Sequence, residues 1–237
     1  MGRDPAPATV VKPAAATGAQ AAAAVLVATG VAWAAGERFV LLDLELSVRA
    51  GELLLISGHN GAGKTSLLSI LRGAIAPARG QVTLAGVPLE DVAADYLANH
   101  IATLQHRPGL YFDLTGLENL ALLSSLVNQP LTVTEASALL DRVGLPREAH
   151  QRRVRHYSRG MQQRTGLARV MASGAAVWLL DEPSTGLDPA GRETLSRVLR
   201  DAAAAGTAVL AISHDPELLA LADRHLELRD GRLHEAA

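Results

Sequence analysis

Hydrophobic and polar positions divide this chain into three textures. Val25-Leu26-Val27 with Val31, then Phe39 to Val48, form two apolar stretches about the turn Ala35-Gly36-Glu37. In the second, Leu42, Leu44, Leu46 and Val48 alternate with Asp43, Glu45, Ser47 and Arg49. That is the period of two of a half-buried strand. A second texture is apolar throughout: Leu53 to Ile56, Ala175 to Leu180, and Thr207 to Ile212. Short unbroken runs of this kind predict strands buried on both faces. Gly80 to Gly86 reads as another short strand, and His225 to Leu228 with Arg232-Leu233 as a hairpin about Asp230-Gly231. The third texture has helical spacing: Ser66 to Arg72 stopped at Gly73, Leu117 to Val127, Val133 to Val143, Ser158 to Ser173, Ala190 to Ala205 and Glu217 to Ala222. Thr132 and Glu135 stand at capping-box spacing, and Gly144 followed by Pro146 ends that helix. The elements predict an α/β chain: a small, partly antiparallel sheet, then a core of buried strands, with a mostly helical insertion at about 100–166.

Composition changes this picture little. The chain has 237 residues, enough for one large domain, and 49% are hydrophobic. A net charge of −2 argues against coating nucleic acid by charge alone. Cysteine is absent, which excludes a disulfide framework and thiolate metal sites. Residues 1–24 are rich in Ala and Pro and predict a disordered leader before a domain spanning 25–237. Ala19 to Gly36, behind Arg3 and Lys12 and containing Ala32-Trp33-Ala34, has the make-up of a signal peptide. A first strand over the same residues explains Val25 to Val31 better. No later stretch is long and apolar enough to read as transmembrane.

The chemistry concentrates at Gly58-His59-Asn60-Gly61-Ala62-Gly63-Lys64-Thr65, which meets G-x-x-x-x-G-K-[ST] at every fixed position. An apolar strand precedes it and a helix follows, so the match has the context that makes it a phosphate loop. Glycines let the backbone curl around an anion, and the helix adds unpaired N–H groups and the positive end of its dipole. Lys64 is placed for the β- and γ-phosphates of ATP, and the Thr65 hydroxyl for Mg²⁺. Gly58, Asn60, Gly61, Ala62, Gly63 and Ser66 complete the cradle. Asp181 and Glu182 end one buried run, where ligands bind in open α/β sheets. Asp181 reads as the partner of Thr65 at the metal, and Glu182 as the base for an attacking water. His214 ends another run and is placed to donate to a γ-phosphate. Ser158 can cap its helix, whose start with Gly160 makes an anion site far along the chain from the phosphate loop.

Together these residues resemble the nucleotide-binding subunit of ABC transporters, over roughly Val25 to Leu233. Gly58 to Thr65 is similar to Walker A and Val177 to Glu182 to Walker B. Ser184-Thr185-Gly186-Leu187-Asp188 is similar to the D-loop, and His214 to the switch histidine. Tyr157-Ser158-Arg159-Gly160-Met161 stands where the family has Leu-Ser-Gly-Gly-Gln, in a form resembling export-type members. The resemblance implies a P-loop NTPase (RecA-like) core with an antiparallel β subdomain and an inserted α-helical subdomain. It implies catalytic Glu182 and His214, and Asp188 among the nucleotide-binding residues. It also implies a head-to-tail pair in which Ser158 and Gly160 of one copy clamp the γ-phosphate of ATP held by Lys64 of the other. The remaining partner is an integral membrane subunit, with the chain peripheral at the cytoplasmic face of the inner membrane. Residue type favours Gln105 as sensor of the γ-phosphate, whereas spacing favours His106. Trp33 and Phe39 flank the place where adenine is stacked in the family. A histidine at 106, with Gly109-Leu110-Tyr111 and Leu114-Thr115-Gly116-Leu117-Glu118-Asn119-Leu120, is similar to the ATP-binding subunits of haem exporters of cytochrome c maturation. General ABC-2-type exporters share the Tyr-Ser-Arg-Gly-Met form.

A soluble ABC ATPase acting on ribosomes or DNA is the competing class. Arg152, Arg153, Arg155, Arg159, Arg164 and Arg169 could carry it, but a solvated or phosphate-proximal face explains them more simply. No direct nucleic-acid partner is expected.

Overall fold

The computed structural model describes residues 24–127 and 129–236. The proposed leader lies outside them, except Ala24, which opens the first strand. That strand, β1 (Ala24–Ala35), pairs antiparallel with β2 (Arg38–Arg49), so the signal-like run is sheet from Ala24 to Ala35. After β3 (Leu53–Ser57) come α1 (Lys64–Leu71), β4 (Arg79–Leu84), β5 (Val87–Pro88), α2 (Ala94–His100) and β6 (Ile101–Leu104). Three helices follow: α3 (Gly116–Leu126), α4 (Val133–Arg142) and α5 (Arg159–Ala172). The chain closes with β7 (Val177–Asp181), α6 (Pro189–Ala204), β8 (Ala208–Ile212), α7 (Pro216–Leu221), β9 (Arg224–Arg229) and β10 (Arg232–Glu235).

Two sheets result. One is antiparallel, in the order β2-β1-β4-β5; the other runs β10-β9-β3-β8-β7-β6 and is parallel from β9 to β6. Alternate residues of the buried strands enter two separate cores. Leu54, Ile56, Leu179 and Leu210 pack with α1 and the antiparallel sheet, while Leu53, Leu55, Trp178, Leu180 and Val209 pack with α3 to α6. Sheets covered on both faces account for runs with no polar alternation.

The helical insertion is corrected at its start. Expected from about residue 100, it begins instead at Gly116, because Ile101–Leu104 is the edge strand of the parallel sheet, paired with Val177 to Leu180. Thr132 caps α4 in a complete capping box with Glu135, and Thr115 does the same for α3 with Glu118.

Candidate functional site

The sheet order sets up the site. β3 neighbours β8, which neighbours β7, and Asp181 stands opposite Ile212 in register. The carboxyl ends of these strands therefore bring the 58–65 loop, the 212–214 turn and the 181–182 acids to one edge, as expected for an open α/β sheet. Gly58 has φ 146°, and a Cβ there would clash with the Leu228 carbonyl oxygen. Gly63, at φ 103°, caps α1 without a side chain and lies against Val40 and Leu41. The loop is thus curled and pressed onto β9 and β2 at places where only glycine fits. Lys64 is buried, 9% exposed, and its Nζ donates to the carbonyls of Gly58 and His59. Thr65 Oγ1 donates to Asp181 Oδ2 at 3.1 Å, joining residues 116 positions apart.

Glu182 leaves β7 in a left-handed conformation, φ 49°. Its N–H donates to the Ile212 carbonyl, and Oε1 stands 3.7 Å from His214 Nε2. Burial raises the Glu182 carboxyl above the usual carboxylate range; His214 opposes this and Asp181 adds to it. A carboxylate made more basic beside a histidine suits a proton acceptor.

A cavity of about 520 Å³ opens over this edge. Asn60, Gly61, Gly63, Lys64, Thr65, Ser66, Asp181 and Glu182 line it, together with Trp33, Ala35 and Val40. Trp33 is therefore in the wall, whereas Phe39 is 46% exposed and outside it. His106 also lines this cavity; Gln105 lines an adjoining one of about 350 Å³ beside Leu68 and Arg72. Gly58 and Ala62 belong to the loop but do not line the cavity. Ser158, Gly160 and Asp188 are not brought to it within one chain. Ser158 Oγ accepts from the Met161 N–H as the cap of α5. The Asp188 carboxylate caps α6 through the Gly191 N–H and pairs with Arg164 at 2.5 Å. Gln163 was not legible as a site residue. It is 3% exposed, and its amide donates to the carbonyls of Glu182 and Pro183. Several of the clustered arginines also have partners inside the chain: Arg155 with Asp113, Arg164 with Asp188, and Arg169 with the Thr103 carbonyl.

The family described as ABC transporter matches residues 41–185, from β2 past the acids of β7. The chain belongs to that family. An ABC transporter ATP-binding protein of Nostoc, itself uncharacterized, is 38% identical over 81% of this chain and 58% of its own length. The macrolide export ATP-binding/permease protein MacB of Chromobacterium violaceum is 34% identical over 82% of this chain and 31% of its own. The chain thus spans well under two thirds of these two relatives. The cytochrome c biogenesis ATP-binding export protein CcmA of Pseudomonas aeruginosa is 35% identical over 80% of this chain and 92% of its own length. The dimeric, ADP- and Pi-bound ATP-binding cassette MJ0796 superposes with a TM-score of 0.81 at 24% identity, over 89% of this chain and 97% of that one. Its likeness supports the fold: a P-loop NTPase cassette with an antiparallel sheet and a helical subdomain. Among the described residues no helix is long and apolar enough to cross a membrane.

Proposed function

We propose that this ABC cassette binds and hydrolyses ATP as the peripheral subunit of an exporter, working on a separate membrane chain at the cytoplasmic face of the inner membrane. The observation that carries this is the convergence, on one cavity, of the Lys64 loop, the Thr65–Asp181 contact at 3.1 Å and the Glu182–His214 pair at 3.7 Å. ATP phosphates fit against Lys64, Thr65 and Ser66, with Trp33 in the cavity wall where a base can stack. Mg²⁺ fits the hard oxygens of Thr65 and Asp181. Two such oxygens suit a cation that keeps waters and phosphate oxygens as its other donors. When bound, the ion neutralises charge on the phosphates. Glu182 takes the proton of an attacking water, and His214, 3.7 Å from that carboxylate, donates toward the γ-phosphate.

Ser158 and Gly160 open α5 and do not line their own chain's cavity, so they serve a second copy: two chains pair head to tail, each α5 start completing the other's site. The likeness to CcmA over nearly its whole length favours haem export for cytochrome c maturation. The likeness to MacB supports a second reading, the ATPase of a drug, antibiotic or lipid exporter. The membrane chain that copurifies decides between the two.

Lys64→Ala should lose productive ATP binding by titration, because the point charge that meets the phosphates is gone. Glu182→Gln should bind ATP, turn it over about a hundredfold or more slowly, and accumulate as a dimer on size exclusion with ATP. Unchanged turnover in both variants would sink the assignment. His214→Ala should slow turnover with less effect on binding.

A further inference from the structure

One contact joins two regions that the proposed chemistry uses separately. Arg159 Nη2 stands 2.7 Å from His106 Nε2. A guanidinium only donates, so Nε2 accepts and the ring carries its proton on Nδ1. His106 lines the phosphate cavity beside Lys64 and Glu182, and also lines a cavity of about 480 Å³ with Phe112, Arg159 and Gln163. Arg159 is the first residue of α5, between Ser158 and Gly160. Its stem covers the 184–188 loop: a Cβ on Gly186 would lie 3.0 Å from Arg159 Cγ. Two further fastenings run along the same helix. A Cβ on Gly166 would meet Pro108 Cβ at 2.6 Å and Leu104 Cδ1 at 2.7 Å. Arg169, largely buried, donates to the Thr103 carbonyl. The segment 103–108 is thus held to α5 at three heights, and only the Arg159 fastening reaches the nucleotide cavity.

We infer that Arg159 is a positioning residue: by donating to His106 it ties the loop that lines a chain's own nucleotide cavity to the helix start that the chain offers its partner's nucleotide. This rests on the head-to-tail reading above. Nucleotide seated against His106 then shifts Arg159, and with it Ser158 and Gly160, so filling one site changes the other. The two sites of a pair respond to ATP together.

Turnover against ATP concentration tests this, in the full chain and with its membrane partner where that copurifies. The wild type should be sigmoidal, with a Hill coefficient approaching two for two coupled sites. Arg159→Ala should bring the coefficient to about one and lower kcat about tenfold, the scale of one charge-assisted hydrogen bond. Its affinity for ATP in a direct titration should stay within about twofold, since Lys64 and Thr65 are untouched. His106→Gln presents an amide oxygen to Arg159 and should keep most of the sigmoidicity, whereas His106→Ala should behave as Arg159→Ala does. The double variant Arg159→Ala/His106→Ala should be no worse than either single one. Both side chains are exposed, and a thermal melt of each variant separates loss of coupling from loss of fold. Wild-type cooperativity and kcat in Arg159→Ala, or losses that multiply in the double variant, overturn the tie alone. A wild type that turns over without cooperativity also overturns it. A wild type that does not hydrolyse ATP removes the proposed function with it.

Discussion

At the scale of single residues, the proposed base is held by a side chain that does no chemistry. Glu182 adopts φ 49°, a conformation that costs an L-residue energy unless its surroundings fix it. Gln163 supplies that fixing with two amide hydrogen bonds, to the Glu182 carbonyl at 3.3 Å and the Pro183 carbonyl at 3.1 Å. Gln163→Leu keeps the volume and removes both donors. It should lower kcat by about tenfold or more, leave ATP affinity nearly intact and lower Tm by several degrees, because one buried and one partly buried carbonyl lose a partner. Single-turnover kinetics with a thermal melt would check this; a normal single-turnover rate would take Gln163 out of the positioning role. The contrast with Lys64 shows what a sequence carries at this scale. Lys64, Thr65 and Asp181 are legible because phosphate and metal demand fixed residue types at fixed places. Gln163 and Arg159 are polar positions near the start of a helix, and nothing local says which carbonyl or imidazole a fold will set against them.

At the scale of elements, sequence periodicity located helices well and short edge strands poorly. The three inserted helices fall within a residue or two of their spacing, and Thr132 and Glu135 form the expected box. Ile101–Leu104 is hidden because four residues give no period, and its strand partner among the described residues, β7, begins more than seventy positions later. Asp188 makes an element-scale prediction. Its carboxyl is held below the usual aspartate range chiefly by Arg164, with the Gly191 N–H helping, while it caps α6. A depressed folded pKa means that its contribution is fully present above the unfolded value of about 3.9 and is lost as pH falls through the lower folded value. Asp188→Asn retains a capping oxygen but loses the ion pair. Thermal melts should therefore show the variant less stable than wild type at neutral pH, with the gap closing below about pH 4. A gap constant from pH 7 to pH 3 would show that the charge contributes nothing there.

At the scale of the whole molecule, the two cores separate what holds ATP from what is offered outward. One core seats the phosphate loop on the parallel sheet; the other seats α5 beside it, with Ser158 exposed and not among the residues that line its own cavity. Ser158→Arg tests whether that exposed start completes a second chain's site. ATP binding at Lys64 should survive, and turnover should be abolished, because a bulky cation blocks the helix N-terminus from the partner's γ-phosphate. Ser158→Asn is the control for folding, since Asn caps a helix about as well as Ser and offers no such bulk to the partner. A mixture with Lys64→Ala sharpens the test. In a mixed pair, one composite site has Lys64→Ala and Ser158→Arg together, while the other has neither lesion. Turnover should partly return on mixing two inactive preparations, in proportion to the mixed pairs formed, provided the sites fire independently. If the tie through His106 makes them fire together, rescue stays weak until Arg159→Ala is added to both chains. Wild-type turnover by Ser158→Arg alone would rule out the head-to-tail pair, because a lesion outside its own cavity would then be invisible to the chemistry.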